Sequence, residues 1–413
     1  MSKTVLHATT LTSLLAASAL ITASGNSLAQ EVTQLSGSFE LELRSFFDNP
    51  LDPRQHNNSL SMAATPEFYH SWNDDKDALT ITPFIRIDQH DAERSHADLR
   101  EFNWLHVGDN WQLRTGVGKV FWGSTESQHL VDIVNQTDGL EGVDGEDKLG
   151  QPMLHYSYLL DAGDISFFWL PYFRERTFAG VEGRPRTALP VDTDRAQYES
   201  GAEQWHQDFA LRWSYSFDSL DLALSHFHGT SREPTLLPDT GNPATATSLI
   251  PRYEIIDQTS LDLTSALGDW LWKLEAIHNS GLDAGDYNAA VGGFEYTYVG
   301  WLDSDADLGL LMEYHYDSRG QRSTRPFQDD IFAGLRITLN DFQSTEFLAG
   351  LVYDRDSYAR MGFIEASRRL GSQFKLSVEA RLFDNLSSTD PLYGLREDSF
   401  VQLTLEYFFS EQL

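Results

Sequence analysis

Apolar and polar residues alternate with a period of two along most of this chain. Phe209, Leu211, Trp213, Tyr215 and Phe217 alternate with Ala210, Arg212, Ser214 and Ser216. Phe374, Leu376, Val378, Ala380 and Leu382 alternate with Lys375, Ser377, Glu379 and Arg381. That period belongs to a strand whose two faces meet different surroundings. About eighteen such segments follow one another, with sixteen the nearest alternative count. They lie near 35–47, 58–73, 77–90, 95–107, 110–121, 152–161, 164–174, 205–217, 219–230, 250–266, 269–279, 286–300, 305–317, 328–339, 344–354, 358–370, 372–383 and 397–409. Two of them, 95–107 and 358–370, change parity midway, as a bulge or a misplaced boundary would make them do.

The connections alternate as well. Short turns at Asn73-Asp77, Gly108-Asn110, Asp161-Asp164, Asp218-Ser219, Leu267-Asp269, Asp303-Asp305 and Gly371-Ser372 take turns with longer linkers. The longer ones include 48–57, 122–151, 175–204, 231–249, 318–327 and 384–396. A soluble sandwich or propeller has no reason to alternate in this way, whereas a barrel in a membrane does. The predicted fold is all-β: a single transmembrane antiparallel up-and-down β-barrel over residues 30–413, with both termini on the short-turn side.

Composition fits that pattern without proving it. Hydrophobic residues make up 41% of the 413 and mean hydropathy is -0.37. A barrel reaches such an average because only every second strand residue faces lipid. The first residues read as an export signal: Lys3, an apolar run from Leu11 to Ala23, then Ser27-Leu28-Ala29, with cleavage expected after Ala29. No later segment offers the roughly 20 continuous apolar residues of a spanning helix. Aromatic residues crowd the strand ends, among them Trp72, Trp111, Trp270, Tyr298, Trp301, Tyr316 and Tyr407, as interfacial girdles require. There is no Cys, so disulfide and thiolate chemistry are excluded.

The chain resembles the porin-like β-barrels of Gram-negative outer membranes. Its last strand, Leu403, Leu405, Tyr407 and Phe409, looks like the signal read by the outer-membrane assembly machinery, although Ser410–Leu413 follow it. Gly118, Trp122, Gly123, Asp132, Asn135 and Asp138 are similar to a strand-to-loop segment of little-characterised proteobacterial porin families. The resemblance implies periplasmic turns, external loops and contact with outer-membrane lipid and lipopolysaccharide.

Candidate chemistry sits on the polar strand faces and in the loops. Parity points Arg86, Asp88, Arg114, Arg212, Lys273, Glu275, Glu313, Arg336, Lys375, Glu379 and Arg381 inward as pore-lining candidates. A basic residue facing mid-membrane lipid would cost about 2–4 kcal/mol. Such residues either set a field that selects ions or pair across strands to brace the wall. Linker 122–151 follows Gly116 and Gly118, where a missing side chain leaves room for another backbone. Folded inward, its Asp132, Asp138, Glu141, Asp144, Glu146 and Asp147 would narrow the pore and favour cations. Left outside, the same segment is an acidic cover over the mouth.

The net charge of -32 leaves no basic stripe, so nucleic acid is not an expected partner. Asp303, Asp305 and Asp307 lack the glycine and distal glutamate of a calcium loop. His226 and His228 share a strand face but show no third ligand, so no metal or other cofactor is assigned. The expected function is passive diffusion of small hydrophilic solutes or ions, cations preferred, with an oligomer possible. A non-conducting barrel for surface polysaccharide binding or assembly is the alternative. A barrel lipase or protease ranks below both, because no Ser–His pair stands out, and no enzymatic activity is assigned.

Overall fold

Within a hydrocarbon layer a strand has no water to satisfy its backbone, so an amphipathic strand persists there only with a partner on each side. The computed structural model, which describes residues 31–413, supplies both partners for every barrel strand. The expected leader 1–29 lies outside the described residues. In chain order the strands are β1 (Val32–Phe46), β2 (Asn58–Trp72), β3 (Asp77–Asp88), β4 (Ala97–Val107), β5 (Trp111–Gly118), β6 (Gln151–Leu160), β7 (Gly163–Leu170), β8 (Asp208–Phe217) and β9 (Leu220–Thr230). They continue with β10 (Ile255–Leu267), β11 (Trp270–Ser280), β12 (Tyr287–Tyr298), β13 (Asp307–Asp317), β14 (Asp329–Thr338), β15 (Glu346–Asp354), β16 (Arg360–Leu370), β17 (Phe374–Asp384) and β18 (Phe400–Gln412). Each is antiparallel to its chain neighbours, and β18 returns to β1 with Gln34 opposite Gln412 and Phe46 opposite Phe400. The eighteen-stranded sheet is therefore closed.

Side-chain alternation puts the greasy face outside. Phe39, Leu41 and Leu43 on β1, Ile85 and Ile87 on β3, and Leu403 on β18 are exposed on the outer surface. Glu42 and Arg44, between them in sequence, are buried inside, as is Arg86. Outward aromatics stack near the short-turn rim, with Trp270 lying 5.7 Å from Trp272 and 4.7 Å from Tyr296.

The two parity changes have different origins. Between β3 and β4 the register slips: Thr82 faces Glu101 and Pro83 faces Leu99, leaving Arg100 as an extra residue. Pro83 has no N–H for the ladder, so the bulge falls where a bond was already missing. In β16 the register is unbroken toward both neighbours, and no bulge exists there. Arg368 and Arg369 place charge on both faces of its end, which blurred the alternation. Several strand limits also move. β5 stops at Gly118 rather than near 121, β7 stops at Leu170 rather than near 174, the last strand runs Phe400–Gln412 rather than 397–409, and Leu249–Tyr253 leaves the wall to join Thr235–Pro238 and Gln197–Tyr198 in a small sheet. That sheet ties linkers 171–207 and 231–254 together.

At Gly116, on β5, φ is +123° and an added Cβ would lie 2.1 Å from the Phe102 carbonyl oxygen on β4. The close backbone approach expected there exists, but it comes from the neighbouring strand. Gly116→Val should lower the barrel's resistance to urea unfolding by about 1–3 kcal/mol or abolish folding. Gly118→Ala, whose Cβ would meet only ordinary contacts beyond 3.7 Å, should stay close to wild type.

Candidate functional site: a lumen crossed by two loops

Linker 119–150 contains an apolar run, Leu130, Val131, Ile133 and Val134, that would be out of place in a solvated loop. All four side chains are buried. They pack with Trp122 against inward residues of the wall: Phe168 and Leu170 on β7, Ala210 on β8, Phe227 on β9, Ile256 on β10, Ile277 on β11 and Val291 on β12. Each buried aliphatic side chain contributes about 1.5–3 kcal/mol, as an upper figure for the ordering it offsets. The loop is thus held inside the barrel by the hydrophobic effect acting on the inner wall.

Polar contacts fix its position. Glu275 on β11, fully buried, accepts hydrogen bonds from the Ser124 N–H at 2.7 Å, the Thr125 N–H at 3.0 Å, the Thr125 hydroxyl at 2.7 Å and the Val131 N–H at 3.2 Å. Glu313 on β13 accepts from the N–H groups of Glu126 and Ser127 at 2.7 and 3.0 Å. Two further residues grip the loop. Arg336 on β14 pairs with Glu126 at 2.7 Å, and Arg232, just past the end of β9, donates to the Val134 carbonyl at 3.0 Å. The root is closed by Asn135, which donates to the carbonyls of Gly118 and Leu149 and accepts from the Val120 N–H. The return limb reaches the opposite wall, where Glu141 meets Arg86 on β3 at 2.6 Å and Asp144 meets Arg381 on β17 at 2.7 Å. The loop therefore crosses the whole lumen.

Most of the expected pore-lining charges are engaged. Glu275 and Glu313 lie under the loop rather than facing free space. Arg86 also meets Glu40 at 3.2 Å and Glu42 at 3.3 Å, and Asp88 caps the turn after β3 and pairs with Arg94. Arg212 pairs with Asp262 beneath the Trp122 ring, and Lys273 lies 3.8 Å from Glu126. Arg114 faces inward opposite His155, and Lys375 stands across from Glu406. Arg381 meets three carboxylates, Asp144, Glu365 and Glu379, each within 2.8 Å.

The loop acids divide in two. Asp132 and Asp138 are buried, paired with Lys148 at 3.0 Å and Arg100 at 2.6 Å. Burial opposes the Asp138 charge, yet Arg100 and the Thr177 hydroxyl hold its carboxyl below the usual range. Glu146 and Asp147 instead reach open lumen beside the Asp144–Arg381 pair, Glu146 with 64% of its side chain exposed. Desolvation deep in the barrel and the carboxylates of Asp144, Glu141 and Asp138 push the Asp147 carboxyl up to about 7. Asp147 is itself exposed, so the crowding of negative charge is the part that persists in a wet pore. Burial opposes the charge of His129, but Glu146 and Glu275 push it up to about 10 and keep it cationic beside the loop.

A second inward element was not read from the sequence. Linker 171–207 crosses the mouth and ends on Arg184, which bonds Asp398 at 2.6 Å, the Asp48 carbonyl at 3.2 Å and the Glu397 carbonyl while lying over the Phe46 ring. Arg186 adds an ion pair to Asp52 at 2.8 Å. The signal available was a cluster of arginines, Arg184 and Arg186, around a proline in a long linker facing acidic loops. The two linkers touch where the Thr177 hydroxyl donates to Asp138.

Two Ser–His contacts exist among the described residues. Ser157 Oγ lies 2.9 Å from His155 Nε2 on β6 and also meets Ser166 Oγ at 2.7 Å. Ser127 Oγ lies 2.8 Å from His315 Nε2. The same hydroxyl lies 2.5 Å from Glu313 Oε2, and His315 Nδ1 has no hydrogen-bond partner to orient the ring. Ser127 here ties the loop to Glu313, and the third member of a nucleophilic arrangement is not in place. His226 and His228 face outward near the loop rim and share Asp257.

Replacing Glu275 by Ala leaves three loop N–H groups without their acceptor, at about 1–3 kcal/mol for each buried one. The expected outcome is faster protease cleavage within 119–150 while the barrel itself keeps its heat-modifiable mobility on gels. Unchanged cleavage would show that the apolar contacts alone hold the loop.

No protein-family model and no curated protein sequence matches the chain. Solved structures do. OccD3 (OpdP) of Pseudomonas aeruginosa is similar with a TM-score of 0.54 at 10% identity over 93% of this chain and 91% of that one. OccK5 (OpdH) of the same organism gives 0.53 at 10% identity over 93% and 98%. Wzi of Escherichia coli, described as an outer-membrane protein of group 1 capsule assembly and a carbohydrate-binding β-barrel, gives 0.51 at 12% identity over 89% and 83%. At these identities the likeness is one of fold. The chain has the closed, eighteen-stranded antiparallel barrel architecture of such outer-membrane proteins.

Proposed function

We propose that the chain is an outer-membrane channel through which small hydrophilic solutes or ions diffuse, cations in preference. The observation that carries the preference is the sign of the charges left open in the lumen. Glu146 and Asp147 on the crossing loop reach open lumen, beside the Asp144–Arg381 pair and facing a wall where Glu365 and Glu379 outnumber Arg381. Inside a low-dielectric wall, such an excess of one sign attracts counter-ions and repels co-ions. The basic residues that would cancel it are spent holding the loop: Arg86 on Glu141, Arg100 on Asp138, Lys148 on Asp132.

A non-conducting barrel that binds surface polysaccharide is the second reading. Two linkers inside one lumen favour it, and the likeness to Wzi makes it worth the same experiment. Planar-bilayer recording separates the two: stepwise, cation-biased currents support diffusion, and a correctly inserted but silent barrel supports the alternative.

Changing Asp144 and Asp147 to Asn and Glu146 to Gln should lower the cation-to-anion permeability ratio by roughly twofold or more. Deleting 136–148 should raise single-channel conductance; an unchanged current would reject the constriction. Burial and the neighbouring carboxylates push the Asp147 carboxyl up toward about 7, so its charge is present above the raised value and lost as the pH falls through it. Cation preference should therefore fall between pH 8 and pH 6, and Asp147→Asn should flatten that step.

A further inference from the structure

The return limb of the crossing loop and the entry of β4 face each other with two lone-pair donors across a short gap. His96 Nε2 and Asp138 Oδ2 lie 3.9 Å apart and are both buried; Nε2 has no hydrogen-bond partner, and Oδ2 has only its ion pair with Arg100. Glu141 brings a carboxylate oxygen within 4.8 Å of both. His96 holds its Nδ1 3.0 Å from the Arg94 carbonyl, which makes Nδ1 the N–H donor and leaves Nε2 as a free lone pair. A carbonyl behind the ring is how metal-ligating histidines are commonly oriented. The other oxygen of Asp138 is fixed by the Thr177 hydroxyl at 2.6 Å and the Leu140 N–H at 3.3 Å. Only Oδ2 is left aimed at the gap.

We propose that His96, Asp138 and Glu141 bind one divalent first-row metal ion, of which zinc best suits the imidazole and carboxylate donors, stapling the crossing loop to the entry of β4. The inference is independent of whether the lumen conducts. One nitrogen and two carboxylate oxygens leave a fourth position for water in tetrahedral zinc. Ligand atoms around such an ion stand about 3.3 Å apart, so the His96–Asp138 gap closes by roughly 0.6 Å on binding. Two arginines already touch these carboxylates. Arg100 Nη2 lies 2.6 Å from Asp138 Oδ2, out of line for a hydrogen bond, and Arg86 grips Glu141. Each has a second acidic partner to fall back on: Asp98 at 3.1 Å for Arg100, and Glu40 and Glu42 for Arg86. Asp144 and Asp147 add negative charge on the same limb. The Phe84 ring, 5.5 Å from His96, covers one side of the gap with apolar surface.

The test uses the full mature barrel folded in detergent, loaded with zinc, dialysed against metal-free buffer and counted by mass spectrometry. One zinc per chain should remain, and should persist in the His226→Ala/His228→Ala double variant, which removes the outward pair. His96→Ala and Asp138→Asn should lose it, and Thr177→Val should weaken it by about 10–100-fold, as loss of an outer-shell partner does. A wild type that retains no more zinc than His96→Ala overturns the proposal. Should the variants fail to fold, cobalt added to the wild type decides: an intense visible band of a tetrahedral nitrogen–oxygen site supports the staple, and the weak spectrum of hydrated cobalt overturns it.

Discussion

Closure of the sheet is the constraint from which the other features follow. A strand edge in hydrocarbon leaves a row of backbone donors and acceptors with nothing to meet them, at several kcal/mol each. The pairing of Val32–Phe46 with Phe400–Gln412 removes that edge. Once the sheet is a cylinder, alternate residues must face lipid and interior, and the sequence is written in that period. Charges such as Glu42, Arg44 and Arg86 have only the interior left to them. The interior is then a confined space in which charge must be balanced, by ion pairs or by what enters from the loops.

The crossing loop meets that demand in two ways. On one side of the barrel the inner wall is apolar, and Phe168, Leu170, Phe227, Ile256, Ile277 and Val291 need a cover. The loop supplies one. On the other side the wall is rich in arginine, and the loop brings Glu141 and Asp144. Carboxylates of the wall accept the loop's backbone N–H groups, so few buried donors are stranded. The result is a partition of labour among acids of one chemical type: Glu275 and Glu313 hold structure, Asp138 is locked, and Glu146 and Asp147 stay free.

The architecture was legible because period two and alternating connection lengths repeat over the whole chain. The strand count, the closed barrel and the bulge near Arg100 all came from that repetition, and the missing bulge in β16 came from over-reading two end arginines. The inner arrangement was less legible. Parity assigned Glu275 and Arg381 to the inside correctly, yet it is blind to which inward residues are covered. The covering was encoded in a weaker signal: β7 is apolar on both faces over Phe167–Leu170, Phe227, Ile256 and Ile277 break the polar inner faces of β9, β10 and β11, and Trp122 with Leu130–Val134 offers matching apolar residues within linker 119–150. The second linker was missed because its hold depends on Arg184 reaching carbonyls more than a hundred residues away, which no local pattern records.

The latch on Glu275 and Glu313 also dictates an order of events. The loop leaves the wall after Gly118, but its acceptors lie on strands made some 150 and 186 residues later. Those carboxylates, and the apolar surface beside them, do not exist as a site until the second half of the cylinder is in place. Until then Leu130, Val131, Ile133 and Val134 are bare, and the nascent protein carries a sticky tongue outside an unfinished ring. Insertion of the tongue is thus bound to follow closure of the ring, and until then this segment adds its own apolar surface to that of the unpaired strands.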